Sequence, residues 1–323
     1  MPIAKILKRA SHKRAFASSI DSAAKTVTCS DGSKTEYDVL VVCPGARNYS
    51  PAEPPVTMAD AAAARTYYDA TRDAITAAKQ IGIVGAGPVA IELAGEVRDA
   101  NASAAVSLLV GSHRFLGNVN PRLTDKHVAY VLKQMAARDV NVVIGDDVVS
   151  PALPVDLLTS SAVFRDVDVV FHSGKTLHFD LLLFAVGGQL RAKAFVPADW
   201  LNVATGEIVI DDVFRVKGQG SVFAFGDAAH TGRTKMGAWA IDDAKAVAAN
   251  VTAVAAGKAP TKTVAKARGP FIVLPVGERY GITVLGSTVW FGNWSAATIK
   301  GKDLFLSMTW GMLQAGKPPS SSA

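Results

Sequence analysis

Three small residues at fixed spacing carry the strongest chemical signal in this chain. Gly85, Gly87 and Ala90 stand as G-x-G-x-x-A directly after the apolar run Gln80 to Val84. Gly85 permits a tight turn, Gly87 removes the side chain that would hold a pyrophosphate away, and Ala90 lets the next helix pack close to the strand. Ala86 completes the turn, and Pro88 suits the first helical position, where an absent N–H costs nothing. The free N–H groups and positive end of that helix then face phosphate oxygens. The spacing suits a dinucleotide; a plain strand–turn–helix without ligand is the competing reading.

A turn of this kind asks for an acidic residue at the end of the next strand, to meet the adenosine ribose. Here that place reads Val110-Gly111-Ser112-His113-Arg114, with no carboxylate. Arg114 with Ser112 suits a 2′-phosphate, which leans towards NADPH; an ordinary surface arginine is the other reading. Gly187, after the apolar run Leu181 to Val186, joins the candidate nucleotide-binding residues. Farther on, Asp227 follows Gly226 after a short buried run and precedes a helix. Its carboxylate could accept hydrogen bonds from hydroxyls at the mouth of a sheet, or cap the helix. Lys235 and Met236 open that helix, and Glu92 lies two residues past Ala90. Cys29 and Cys43 lack C-x-x-C spacing, so no dithiol pair is expected, and Cys43 at an apolar strand end reads as a buried thiol. Six scattered histidines suggest no metal site.

The elements that must position these residues form an α/β order. Residues 15–45 read as a hairpin-like unit with a turn at SDGS, then a buried parallel strand from Val39 to Val42. Residues 50–56 are proline-rich and read as a linker. A helix is expected from Met58 to Ala78, then the strand Gln80 to Val84 and the motif helix over 87–99. Next come a strand from Val106 to Val110, a helix from Pro121 to Arg138 and a strand over 140–144. A hairpin turning at Ser173-Gly174 precedes a further buried strand, Leu181 to Val186. This order makes one complete nucleotide-binding domain. Trp239 to Ala256 reads as a helix, and from about Arg268 the chain turns to Gly- and aromatic-rich strands of a small α+β domain.

Composition narrows the class. A chain of 323 residues, 49% hydrophobic and 19% charged, has room for two or three packed domains. No apolar run reaches the roughly 18 residues of a spanning helix. The start MPIAKILKRASHKR lacks the apolar core of a secretion signal, and Pro2 is unsuited to myristoylation. Lys5, Lys8, Arg9, Lys13 and Arg14 supply five of the net +6 charges, leaving about +1 elsewhere, which argues against a nucleic-acid partner. The basic run suits an anionic membrane surface or a weak transit peptide, with a solvated face favoured over both. A cytoplasmic location fits, and membrane association or a mitochondrial destination is compatible with the same start. The tail KPPSSSA reads as disordered.

Four segments, YDVLVVCPGA, IGIVGAGPVAIELAGEV, DLLLFAVGG and SVFAFGDAA, occur in an order that resembles the pyridine-nucleotide:flavin oxidoreductases. The C-terminal IKGKDLFLSMTW is similar to the apoptosis-inducing-factor-like branch, ferroptosis suppressor proteins included. The resemblance runs from about residue 15 to 312. It implies Rossmann-like FAD- and NAD(P)-binding domains with a small C-terminal α+β domain. The corresponding limits are 1–78 for a partial FAD-binding domain and linker helix, 79–190 for the NAD(P)-binding domain, 191–262 for the second FAD part and 263–323 for the C-terminal domain and tail. It further implies that Gly85, Ala86, Gly87 and Pro88 hold NAD(P)H, and that Gly226, Asp227, Lys235 and Met236 border FAD. By the same resemblance Glu92, Lys300 and Phe305 meet at the reacting centre, where a lysine–glutamate pair tunes proton delivery. The implied activity is FAD-dependent oxidation of NAD(P)H with a quinone-like acceptor. This family carries two glycine turns, and the sequence shows only the second, so the FAD domain reads as incomplete at its start. The alternative is a truncated NAD(P)-binding protein that has lost flavin and catalysis.

Overall fold

The computed structural model describes residues 10–49, 51–55, 60–117, 119, 123–153, 161–266, 271–286, 288–290 and 292–313. Most of the basic start, the helix start at Met58, Pro121, Arg268 and the tail from 314 lie outside them. The chain divides into two compact units, one of residues 48–187 with 268–323, the other of residues 11–47 with 188–267. Among the described residues, no helix is long and apolar enough to cross a membrane.

The first unit is built on a six-stranded sheet. Val140–Ile144, Ala105–Gly111, Gln80–Val84 and Thr176–Phe184 run parallel in that order, and Val163–Phe171 and Val148–Ser150 continue it antiparallel. Period-2 alternation splits each central strand between two cores. Ile81, Ile83, Leu181 and Leu183 face one side, with Ile91 and Ala94 of the helix Pro88–Ala100 and Val131 of the helix Asp125–Ala137. Leu109, Leu182 and Phe184 face the other, with Phe171 and Phe179. Both faces are covered, which explains why the central strands read as unbroken apolar runs.

Two sequence expectations are corrected here. Leu181 to Val186 is not a separate strand after the hairpin: Thr176–Phe184 is one strand that closes the hairpin and pairs parallel with Gln80–Val84. Its polar first half edges the hairpin and its apolar second half enters the sheet centre. The described residues from Phe271 on, expected as part of a domain of their own, share a core with the nucleotide-binding sheet. Ile272 and Leu274 of the strand Phe271–Pro275, Ile282 and Val284 of Gly281–Leu285, and Val276 just after the first strand lie in the same cluster as Ile91 and Val131. Gly95 makes this possible, because a Cβ there would fall 2.1 Å from Gly277 N. The helix Ala61–Ala77, capped by Asp60 accepting from Ala63 N–H, also belongs to this unit.

In the second unit Leu40–Val42 pairs parallel with Val222–Ala224, as a buried strand ending at Pro44-Gly45 predicts. A three-stranded antiparallel sheet, Ala17–Asp21, Thr26–Cys29 and Lys34–Glu36, replaces the simple hairpin expected over 15–45. Cys43 is exposed, not buried. Strand pairing ends at Val42 against Ala224, so residue 43 has already left the sheet. The helix Gly237–Ala255 covers Phe214 and Phe223 through Val247.

Candidate functional site

The turn after Gln80–Val84 has the geometry its glycines require. Gly85 holds φ +154°, and a Cβ on it would fall 2.5 Å from Ala185 O and 2.9 Å from the Ala90 methyl. Any side chain at 85 would therefore collide with the adjacent strand end and with the helix. Gly85 N–H donates to Leu109 O at 3.0 Å, and Leu116 N–H donates to Ala86 O at 2.7 Å, fixing the turn between its neighbours. Gly87 is the N-cap of Pro88–Ala100, with Pro88 in the first turn and no side chain capping the helix. Its orphan N–H groups open on a cavity of about 690 Å³ bordered by Gly85, Gly87, Arg114, Asp147, Ala185 and Gly187. The structure thus gathers Gly85, Ala86, Gly87, Pro88, Arg114 and Gly187 around one space.

The strand end at 110–114 differs from its sequence reading. Ser112 N–H donates to Asp147 Oδ1 at 2.9 Å, while Arg114 Nη2 lies 3.1 Å from Asp125 Oδ1. A carboxylate is therefore present at this place, supplied 35 positions downstream after the neighbouring strand Val140–Ile144. Sequence reasoning missed Asp147, because no local motif reports which strand end will lie beside which.

One helical turn past Pro88, Glu92 is paired with Lys300 by a short hydrogen bond. Each side chain is 22% exposed, and the partners are 208 residues apart. Burial pushes the Glu92 carboxyl up, and the Lys300 ammonium offsets only part of that rise. Lys300 lies on the helical stretch Ala297–Gly301, with its Nζ 6.0 Å from the Phe305 ring centre. Phe305 holds φ +62°, and Asp303 Oδ1 accepts from its N–H at 3.0 Å. Glu92, Lys300 and Phe305 are thus brought together. Glu96 lies one turn further along, its carboxyl also raised by burial and by nearby acids, and its Oε1 has no hydrogen bond among the described residues.

Gly226, Asp227, Lys235 and Met236 meet in the second unit, at the start of Gly237–Ala255. Met236 is the N-cap and provides no side-chain bond, so the Asp227 carboxylate does not cap this helix. Asp227 is half-buried and makes no hydrogen bond or ion pair with a described residue. Lys235 Nζ lies 2.7 Å from Glu207 Oε1, and His230 binds the same carboxylate. Burial opposes the Glu207 charge, yet Lys235 and His230 hold its carboxyl below the ordinary range. Two further residues were not legible beforehand. Arg233, 6% exposed, gives both Asp243 oxygens bonds of 2.7–2.8 Å and stacks 4.7 Å from the Trp239 ring centre. Among the described residues its Nε and Nη1 have no hydrogen-bond partner. Among the described residues no His, Cys, Asp or Glu cluster could hold a metal, and both cysteines are free.

A family model described as pyridine nucleotide-disulphide oxidoreductase matches residues 7–257. Apoptosis-inducing factor homolog B of Dictyostelium discoideum is 27% identical over 98% of this chain and 84% of its own length. Ferroptosis suppressor protein 1 of Xenopus tropicalis is 23% identical over 85% of this chain and 71% of its own. Among solved structures, the ferredoxin reductase for the CYP199A2 system of Rhodopseudomonas palustris superposes with a TM-score of 0.55 at 23% identity. That match covers 73% of this chain and 57% of the reductase, so the chain spans less than two thirds of it. At this identity the likeness concerns the fold.

Proposed function

Because the chain belongs to the pyridine nucleotide-disulphide oxidoreductase family, whose cofactors are FAD and a pyridine nucleotide, we propose that it oxidises NAD(P)H through FAD and delivers the electrons to a quinone-like acceptor. The observation that carries this reading is the cavity at the Gly85–Pro88 turn, with the Glu92–Lys300 pair one turn further along the same helix. Gly85, Ala86, Gly87 and Pro88 would hold the pyrophosphate against the uncapped helix start, where backbone N–H groups need acceptors.

The residues of the second unit fit the flavin end of FAD. Asp227, without a hydrogen-bond or ionic partner among the described residues, offers an acceptor for ribityl hydroxyls, and the uncapped start of Gly237–Ala255 adds positive potential. When bound, FAD supplies the two-electron relay between nicotinamide and acceptor. Glu92 and Lys300 hold a proton between them: burial favours a neutral Glu92, and the ammonium favours its anion. Phe305 covers the ammonium on one side and limits its access to water. Cys29 and Cys43 enter no step.

One observation favours a second reading. Among the described residues only the Gly85 turn has dinucleotide geometry, and the parallel sheet of the second unit has two strands. An NAD(P)-binding protein without flavin is what those features suit. Incubating the purified protein with excess FAD, removing free flavin and recording the visible spectrum separates the two. Retained flavin that bleaches on adding NADH or NADPH and recovers with a soluble quinone supports the enzyme. Nucleotide binding without retained flavin refutes it.

A further inference from the structure

A carboxylate that no motif announces stands at the edge of the nucleotide cavity. Gly111 pairs with Ile144 at the end of two parallel strands, and this register carries Asp147 to the strand end that follows Val110. The approach is close: a Cβ on Gly111, which holds φ +69°, would fall 2.3 Å from Asp147 Oδ1. Oδ1 accepts the Ser112 N–H at 2.9 Å, and the Ser112 side chain also interacts with this carboxylate. Hydrogen bonding from Ser112 holds the carboxyl below the usual range, so it is anionic at neutral pH. The cations nearby are otherwise engaged or exposed. Arg114 bonds Asp125 Oδ1 at 3.1 Å and Leu123 O at 3.4 Å, and the exposed His113 has Nδ1 4.0 Å from Asp147 Oδ1.

We propose that Asp147 determines which pyridine nucleotide the cavity takes: Oδ2 accepts the 2′-hydroxyl of the adenosine ribose of NADH, and its charge disfavours the 2′-phosphate of NADPH. The inference rests on the cavity's being a pyridine-nucleotide site and names which form it selects. A ribose hydroxyl at the end of the second strand needs an acceptor, which Asp147 supplies from the third strand in place of the missing residue at 110–114. A 2′-phosphate at the same place would set like charges together at short range. This reverses the NADPH leaning read from Ser112 and Arg114, since both already answer to carboxylates.

Isothermal titration of the full chain with NADH and with NADPH, for wild type, Asp147→Asn and Asp147→Ser, tests it. Wild type is expected to bind NADH at least tenfold more tightly, and Asp147→Asn to shrink that ratio about tenfold. The asparagine keeps an oxygen for Ser112 N–H, so it isolates the charge and serves alone if the serine variant fails to fold. Wild-type binding of NADPH as tight as NADH, or a ratio unchanged in Asp147→Asn, overturns the inference and leaves the nucleotide site standing. Absence of binding by either nucleotide overturns both.

Discussion

Gly95→Ala is a substitution for which local and tertiary reasoning give opposite signs. Position 95 lies mid-helix in Pro88–Ala100, where alanine is favoured over glycine by about 1 kcal/mol. In the fold, however, the added methyl would lie 2.1 Å from Gly277 N, 2.3 Å from the Val276 carbonyl carbon and 2.7 Å from Val276 Cα. These are backbone atoms, so no rotamer change relieves the overlap. The segment cannot simply step back, because Glu278 N–H donates to Asp99 Oδ2 at 2.7 Å and Asp99 is also paired with Arg138. Overpacking of this kind costs about 1–3 kcal/mol, and contact with backbone puts this case near the top of that range. Setting the propensity gain against it leaves a net loss of about 2 kcal/mol. In a unit of about 200 residues that lowers Tm by about 4–8 °C. Urea and thermal unfolding of wild type, Gly95→Ala and Gly311→Ala provide the measurement. Gly311 lies in the helix Leu306–Met312 with no atom within 4 Å of a built Cβ, so its alanine variant should lose nothing. A Gly95→Ala protein as stable as wild type would refute the close approach of the C-terminal strands to the motif helix.

Other outcomes follow from the same geometry. Gly85→Ala places a Cβ 2.5 Å from Ala185 O, so NADH affinity by titration calorimetry should fall at least tenfold; unchanged affinity would contradict the cradle. Lys300→Met removes what lowers the raised Glu92 carboxyl, so its ionisation moves still higher. A carboxyl raised by folding contributes stability below its ordinary range that is lost as pH rises through the folded value. The variant should therefore lose stability more steeply from acid to neutral pH than wild type, and introducing Glu92→Gln into both proteins should remove that difference in slope. Parallel profiles would count against the pair. Glu207 is the opposite case: its depressed carboxyl stabilises above the ordinary range, and that stability is lost as pH falls through the folded value. Glu207→Gln should cost about 1–3 kcal/mol at neutral pH and flatten the acid limb of urea unfolding; an unaltered acid limb would remove Glu207 from that role.

Much of the fold could be read along the chain, and the reason is local. Gln80–Val84, its glycine turn, the following helix and Val140–Ile144 are dictated by neighbouring residues: apolar runs, a proline at a helix start, small residues at a tight turn. The hairpin at Ser173-Gly174 was legible for the same reason, through a turn dipeptide between alternating strands. Leu181 to Val186 was misread as a separate strand because an apolar run does not say where its strand begins. Cys43 was misplaced because burial depends on where a partner strand stops, which lies in residues 222–224.

By itself the sequence determined the dinucleotide turn, the α/β order and the family resemblance, since each rests on residue types at short, fixed spacing. Tertiary structure alone decided what stands around the turn. Asp147 reaches Ser112 through strand register, Lys300 reaches Glu92 across 208 residues, and Gly277 reaches Gly95 through a shared core. Backbone preference acts between near neighbours, whereas these meetings depend on how whole strands and helices pack. Asp147 shows the consequence most directly, because it brings to residues 110–114 a carboxylate that their own sequence does not contain.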